Sequence, residues 1–390
     1  MSVRAPCPDG ARVLVLAGTR PECIKLASVV RALRGEPGLH ASLVASGQHP
    51  GMVARTCAHL GLVPDRSLAP VPPGSSLSHT VRHLRDQAVD CARELQASAL
   101  LVQGDTSTAY AGALAGRIAG IPVAHVEAGL RTATPMRPFP EEPFRRRIAG
   151  LARWHFAPTA AAARNLFDEG IAPSAVHVVG NTGIDALRRA LAEPGAQLGA
   201  AAGPARVVTL TLHRRENYGR GLDHVAAAIL ALLALHADLR VTCPMHPNPV
   251  VGARLRRLLG GHPRIDLVEP MEYQPFVRLL AASALVVTDS GGIQEEAPYL
   301  GIPVLVVREA TERPEALAYG GLRLVPPQPA RIVQAATQAL AAPRPRAVAF
   351  GPDAPFGDGR SGQRIARILA SALLPEAVPG PGLRLQPASP

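Results

Sequence analysis

The chain has 390 residues, 47% of them hydrophobic and 18% charged, with a net charge of +11. That length accommodates two core-forming domains, and the apolar content excludes a disordered chain. Aromatic residues make up only 3% and the longest basic run is Arg145-Arg146-Arg147, so neither a stacking platform for single strands nor a concentrated polyanion-binding surface is expected.

In chain order, Val13–Ala17, Ala41–Ala45, Ala99–Gln103, Val123–His125 and Val176–Val179 read as buried parallel strands. Between them, segments such as Pro21–Leu33 and Ala109–Ala119 show helical spacing of apolar residues. The rhythm restarts with Val207–Leu212, Leu239–Cys243, Ile265–Val268, Leu285–Thr288 and Val304–Val307. Two successive series predict an α/β chain with two doubly wound domains facing a central crevice. The expected division is 1–185 for the first domain and 186–359 for the second, with a helix at about 360–374 rejoining the first. The Pro/Gly/Ala-rich stretch Pro194–Pro204 is expected to open the second domain, and 375–390, rich in Pro and Gly, to be a disordered tail.

Ligands of such sheets bind beyond the carboxyl ends of the strands, so the residues just after each strand carry the chemistry. The first strand is followed by Gly18-Thr19-Arg20-Pro21. Pro21 suits the opening turn of a helix, which puts Arg20 and Lys25 near the crevice mouth. No Gly-x-Gly-x-x-Gly occurs there, which disfavours a tightly bound dinucleotide. Lys25 is the only Lys among 41 basic residues. An ammonium is compact where a guanidinium is a broad fork, so Lys25 is either retained by a tight pocket or a chance survivor of an Arg-rich composition.

Asp105, in Gln103-Gly104-Asp105-Thr106, is either a helix cap or a site carboxylate. Glu127, in His125-Val126-Glu127, and Glu141, in Pro138-Phe139-Pro140-Glu141-Glu142, lie near one sheet edge. Two such acids divide acid and base roles if their environments separate their pKa values. Glu142 reads instead as a partner of Arg145–Arg147 one helical turn on.

In the second half, His213-Arg214-Arg215-Glu216-Asn217 at a strand end suits a phosphate or a leaving diphosphate. Thr288-Asp289-Ser290-Gly291-Gly292 is a strand end and turn before a helix, whose free N–H groups suit an anion. Glu296 lies one turn inside, placed to accept hydrogen bonds from ribose hydroxyls, and Arg313 in Thr311-Glu312-Arg313 adds a cation. The five cysteines, Cys7, Cys23, Cys57, Cys91 and Cys243, are odd in number and form no Cys-x-x-Cys. They imply no disulfide framework and no zinc site, and a reducing cytoplasm is the expected compartment. No export signal and no apolar run of ~18 residues is found, so neither secretion nor a membrane span is expected.

Taken together, GTRPECIK, GQH, QGDTSTA, HVEAGLRT, PFPEE, GNTGIDAL, LHRREN, TDSGGIQEEAPYLG and TERPE resemble the bacterial UDP-N-acetylglucosamine 2-epimerase family, from about Arg12 to Pro327. The resemblance implies two Rossmann-like domains in the GT-B arrangement, and interconversion of UDP-GlcNAc and UDP-ManNAc without NAD or metal. It implies a cytoplasmic homodimer with a UDP-sugar substrate and neither nucleic acid nor membrane as partner. By the same resemblance Asp105, Glu127, Glu141 and His213 are catalytic. Arg20, Lys25, Met271, Phe276, Ser290, Gly291, Gly292, Glu296 and Arg313 bind substrate. The hydrolysing variant of the enzyme and a GT-B glycosyltransferase are the alternatives.

Three departures from the family pattern stand out. Phe144-Arg145 replaces an Asn-Arg pair, which is expected to alter rate or sugar preference. Met271 occupies a position that is polar in some relatives, beside the nucleobase region. Pro50-Gly51 and Pro73-Gly74 stand where relatives bind a second, activating UDP-GlcNAc, although Gln48, His49 and His246 remain. Activation of that kind is expected to be weakened or lost.

Overall fold

The computed structural model describes residues 10–132, 134–193, 205–212, 219–245 and 249–374. Two parallel sheets organise it. The first has seven strands in the order β3-β2-β1-β4-β5-β6-β7. These are β1 (Ala11–Ala17), β2 (Leu39–Ala45), β3 (Arg66–Ser67), β4 (Ala99–Gln103), β5 (Val123–Val126), β6 (Trp154–Ala157) and β7 (Val176–Val178). The second has six in the order β10-β9-β8-β11-β12-β13. They are β8 (Arg206–Thr211), β9 (Leu239–Pro244), β10 (Ile265–Val268), β11 (Leu285–Thr288), β12 (Val304–Val307) and β13 (Leu322–Val325).

Helices cross between the strands: α1 (Arg20–Gly35), α2 (Pro50–His59), α3 (Leu77–Glu94), α4 (Ser107–Ala119), α5 (Glu141–Ala149), α6 (Ala160–Asp168) and α7 (Thr182–Ala192). The second half adds α8 (Arg220–Leu235), α9 (Pro249–Leu259), α10 (Tyr273–Ala282), α11 (Gly291–Leu300), α12 (Pro314–Leu317), α13 (Pro329–Ala341) and α14 (Ser361–Leu373). Because helices cover both faces, the central strands carry no polar alternation. Val13, Val15, Leu16 and every residue of Ala99–Val102 are fully buried. Three strands escape the sequence pattern for identifiable reasons. β3 is two exposed polar residues, Trp154 and His155 break the aliphatic run of β6, and Arg323 interrupts β13.

In both sheets the chain reverses its direction of winding at the centre, between β1 and β4 and between β8 and β11. The loops leaving those strands diverge and open a crevice at their carboxyl ends. Gly18–Thr19, Gly104–Thr106 and Asp289–Ser290 are those loops. Local chemistry starts the helices on cue: Thr19 caps α1 with Pro21 in its first turn, and the Thr106 hydroxyl accepts from Ala109 N–H at 3.0 Å to cap α4.

The final helix returns to the first sheet. Ile365, Ala366, Leu369 and Leu373 of α14 share one apolar cluster with Val13, Leu26 and Val30. The expected division at 185/186 falls inside α7, which runs unbroken and places Ile184, Leu187 and Ala190 in the core under the second sheet. The expected linker 194–204 and the tail 375–390 lie outside the described residues. Among the described residues, no helix is long and apolar enough to cross a membrane.

Candidate active site

Gly18 permits the close approach that builds the site. A Cβ there would lie 2.0 Å from Thr108 Oγ1 and 2.4 Å from Ser46 Oγ. Under this turn sits Glu22, fully buried, accepting from the Gly18 N–H at 2.9 Å and from the Thr106 hydroxyl at 2.6 Å. Burial pushes its carboxyl up to about 7. Glu22 thereby ties the β1–α1 turn to the β4–α4 turn. Since Thr106 supplies the α4 cap, the capping reading of Asp105 gives way to an ion pair: Arg145 reaches Asp105 Oδ2 through Nε at 2.7 Å and Nη2 at 2.6 Å.

Glu127 follows β5 in the left-handed region, at φ +64°. Such a backbone costs on the order of 1–3 kcal/mol in a residue with a side chain and is found at positions the surroundings over-determine. Here the surroundings are Lys25 Nζ at 2.6 Å, Arg313 Nη2 at 3.4 Å and the Gln103 amide. Lys25 also meets Glu295 Oε2 at 3.2 Å, and Arg313 Nε meets Glu295 Oε1 at 2.6 Å. Lys25 and Glu127 come from the first sheet, Glu295 and Arg313 from the second, so a closed ring of charges bridges the crevice.

Burial opposes the Lys25 charge, but Glu127 and Glu295 more than offset it and raise its pKa. The two carboxylates diverge. Burial dominates at Glu127 and raises its pKa, while at Glu295 the attraction of Arg313 and Lys25 outweighs burial and lowers it. Beyond the ring, Glu312 pairs with Arg313 and with Arg308, the latter at 2.8 Å.

Glu141 opens α5, half-buried, and its buried Oε2 makes no hydrogen bond among the described residues. One turn on, Arg145 holds Asp105, which brings Glu141 and Asp105 to the same part of the crevice. Glu142 behaves as the charge pattern suggests, meeting Arg145 and Arg146 each at 3.1 Å. Phe144 is buried. Its ring stacks on Tyr110 at 4.8 Å within the apolar core.

Across the crevice, Ser290 precedes α11, and a Cβ on Gly291 would lie 2.6 Å from Arg313 Nη1. The bare glycine lets the guanidinium lie against the helix start. Glu296 accepts from the Tyr273 hydroxyl at 2.7 Å, and burial lifts its carboxyl to about 7. Phe276 is half-buried on α10, and the Met271 carbonyl accepts from the Arg20 guanidinium, a second tie between the two halves. Gly292 lies in the first turn of α11. His213 is outside the described residues.

Of the expected residues, the structure brings Lys25, Glu127 and Arg313 together across the crevice and ties Arg20 to the Met271 carbonyl. Lys25 and Arg313 face carboxylates of the protein itself. Sequence reasoning assigned no site role to Glu22, Gln103, Tyr273, Glu295 and Glu312, and read Arg145 only as a partner of Glu142. A signal existed for two of them: Glu22 sits between Arg20 and Lys25, and Glu295 directly precedes Glu296.

Comparison with known proteins agrees with this geometry. The family model for UDP-N-acetylglucosamine 2-epimerase matches residues 31–370. A probable UDP-N-acetylglucosamine 2-epimerase of Ralstonia nicotianae is 39% identical over 368 residues, covering 92% of this chain and 98% of the relative. The UDP-N-acetylglucosamine 2-epimerase of Escherichia coli K12 is 38% identical over 368 residues, with the same coverage of 92% and 98%. The crystal structure of the Neisseria meningitidis UDP-GlcNAc 2-epimerase bound to UDP-GlcNAc superposes with a TM-score of 0.86 at 36% identity, over 92% of this chain and 100% of that one. Two parallel sheets around a shared crevice and these likenesses along nearly the whole chain lead to one conclusion: the chain belongs to the UDP-N-acetylglucosamine 2-epimerase family.

Proposed function

We propose that the chain interconverts UDP-GlcNAc and UDP-ManNAc in this crevice. The hydrogen on C2 of the sugar is not α to a carbonyl, so direct deprotonation is hard. Elimination avoids this: a carboxylate takes the C2 proton as UDP departs with the C1–O electron pair, leaving a glycal. UDP then adds back to C1 while a carboxylic acid protonates C2 from the opposite face. The chemistry needs acids and bases at the sugar and positive charge at the leaving diphosphate.

Asp105, Glu127 and Glu141 supply the first requirement in this reading, and Arg20, Lys25, His213 and the Ser290–Gly292 turn the second. Glu296 takes the ribose hydroxyls, with Phe276 and Met271 at the base. The observation that carries the reading is Glu141, whose buried Oε2 is unpartnered among the described residues while Arg145, one turn further along α5, holds Asp105. One acid thus keeps an oxygen without a protein partner, while the other is fixed by a cation. Binding of the substrate diphosphate would draw on Lys25 and loosen its hold on Glu127.

The test is incubation with UDP-GlcNAc in D2O. Deuterium at C2 of UDP-ManNAc supports the proposal; free ManNAc with UDP would replace it with hydrolysis, and an unchanged sugar nucleotide would leave a transferase. The same reading takes the enzyme to be a homodimer in a reducing cytoplasm, in keeping with the four free cysteines Cys23, Cys57, Cys91 and Cys243.

A further inference from the structure

Cys23 lies on α1 between Arg20 and Lys25, and Cys57 lies near the end of α2. Separated by 34 residues in the chain, their Sγ atoms come to 3.7 Å from one another. Both side chains are buried in the apolar cluster under the first sheet. The other two described cysteines, Cys91 on α3 and Cys243 on β9, are also buried, and burial holds their thiols up. The pair differs. Contact with Cys23 draws the Cys57 thiol below its ordinary value, and the same contact raises that of Cys23. The thiolate is the reactive form of either sulfur.

Two further features favour a bond between them. A disulfide needs about 2.05 Å between sulfurs, so the 3.7 Å contact must close by only about 1.7 Å. In addition, α2 is thinly held. Only Val53, Thr56 and Cys57 are buried on it, while Ala54, Arg55, Ala58 and His59 face solvent. Helices with so little buried surface open locally far more readily than a core does, which admits a small oxidant and lets the helix shift.

We propose that Cys23 and Cys57 are an oxidisable dithiol, which a hydroperoxide converts to a disulfide that disables the crevice. The Cys57 thiolate attacks the O–O bond, taking one oxygen as a sulfenic acid and releasing the alcohol, or water from hydrogen peroxide. The Cys23 sulfur then displaces that oxygen as water and forms the S–S bond. Two thiols and one hydroperoxide give one disulfide, one alcohol and one water, and the two electrons removed from sulfur reduce the O–O bond.

The disulfide pulls α2 onto α1 at both borders of the site. Lys25, two residues beyond Cys23, holds Glu127 and Glu295. Just before α2, Gln48 Oε1 accepts from the Thr108 hydroxyl at 2.7 Å and from the Thr108 N–H at 3.1 Å, at the start of the helix that follows Asp105. Misplacing a reacting group by about 1 Å can cost a hundredfold in rate.

The experiment treats the native enzyme with hydrogen peroxide and follows intact mass, a non-reducing peptide map and epimerase activity. Expected are the loss of two hydrogens, a single Cys23–Cys57 cross-linked peptide, and at least a tenfold fall in activity that dithiothreitol reverses. Cys57→Ala and, separately, Cys23→Ala should keep basal activity and resist peroxide. Thiols that stay free at peroxide doses oxidising glutathione in the same tube, a map linking another pair (Cys7 included), or peroxide sensitivity surviving in both variants would overturn the proposal. So would a disulfide that leaves activity untouched. Mass and map do not depend on the proposed reaction, so their failure is distinguishable from failure of that reading.

Discussion

Replacing Lys25 by Met removes one cation from a site where Glu127 and Glu295 face it at 2.6 and 3.2 Å. Those carboxylates are only 7% and 2% exposed, so water cannot take the place of the ammonium. Breaking a buried ion pair from one side typically costs about 3–5 kcal/mol. Arg313 still reaches both carboxylates, at 3.4 and 2.6 Å, so the lower end of that range, about 3 kcal/mol, is expected here. For a domain of this size that is a fall in Tm of roughly 6–12 °C. The fall should shrink in acid, where a carboxylate takes up the proton that replaces the missing charge.

Lys25→Arg separates charge from shape. A Cβ on Gly183 would lie 3.4 Å from Lys25 Cε, so the lysine stem runs close against the start of α7 and leaves little room for a planar fork. This variant should melt within about 3 °C of the parent yet lose kcat/KM by about a hundredfold, equivalent to about 2.7 kcal/mol. Differential scanning fluorimetry and a coupled assay for UDP-ManNAc read the two effects. A fully active Lys25→Arg, or a Lys25→Met that melts like the parent, would refute the reasoning from burial and space.

Two other predictions concern the neighbouring turns. The Glu22 carboxyl titrates at about 7 in the folded chain against an ordinary 4.5; between those values the folded state keeps a proton the unfolded chain releases, so stability falls as pH rises through that window, by about 3 kcal/mol in all. Urea unfolding from pH 4.5 to 7 should show Glu22→Gln without this loss, and parallel slopes would mean that Glu22 stays ionised. The resemblance implies an activating UDP-GlcNAc site where Pro50 opens α2, and although Gln48 remains, activation there is expected to be weakened or lost. The reverse reaction from pure UDP-ManNAc should therefore start without a long lag; a lag abolished by added UDP-GlcNAc would show that activation survives.

Much of the fold was legible in local pattern. Ala99–Gln103, Leu285–Thr288 and Val304–Val307 begin and end as the apolar pattern predicts, since a strand covered on both faces needs a nearly continuous apolar run. Pro21 announced α1, and the polar residues after each strand pointed to the crevice because parallel sheets open there. Local pattern also placed Glu142 with the arginines one turn away, at a separation that only helix geometry sets.

Other features had no local signature. β6 and β13 interrupt their apolar runs and become strands only because a neighbouring strand is present to pair with them. Phe144 looked like a change at the site and proved to be a core residue against Tyr110. Above all, sequence listed the carboxylates and cations but not their partners. Lys25 meets Glu295 across 270 positions of chain, and Arg313 meets Glu127 across 186. A periodic pattern records which face of an element avoids water. Which charges then confront each other depends on how the two sheets are set against the crevice, and that is decided only when both cores have formed.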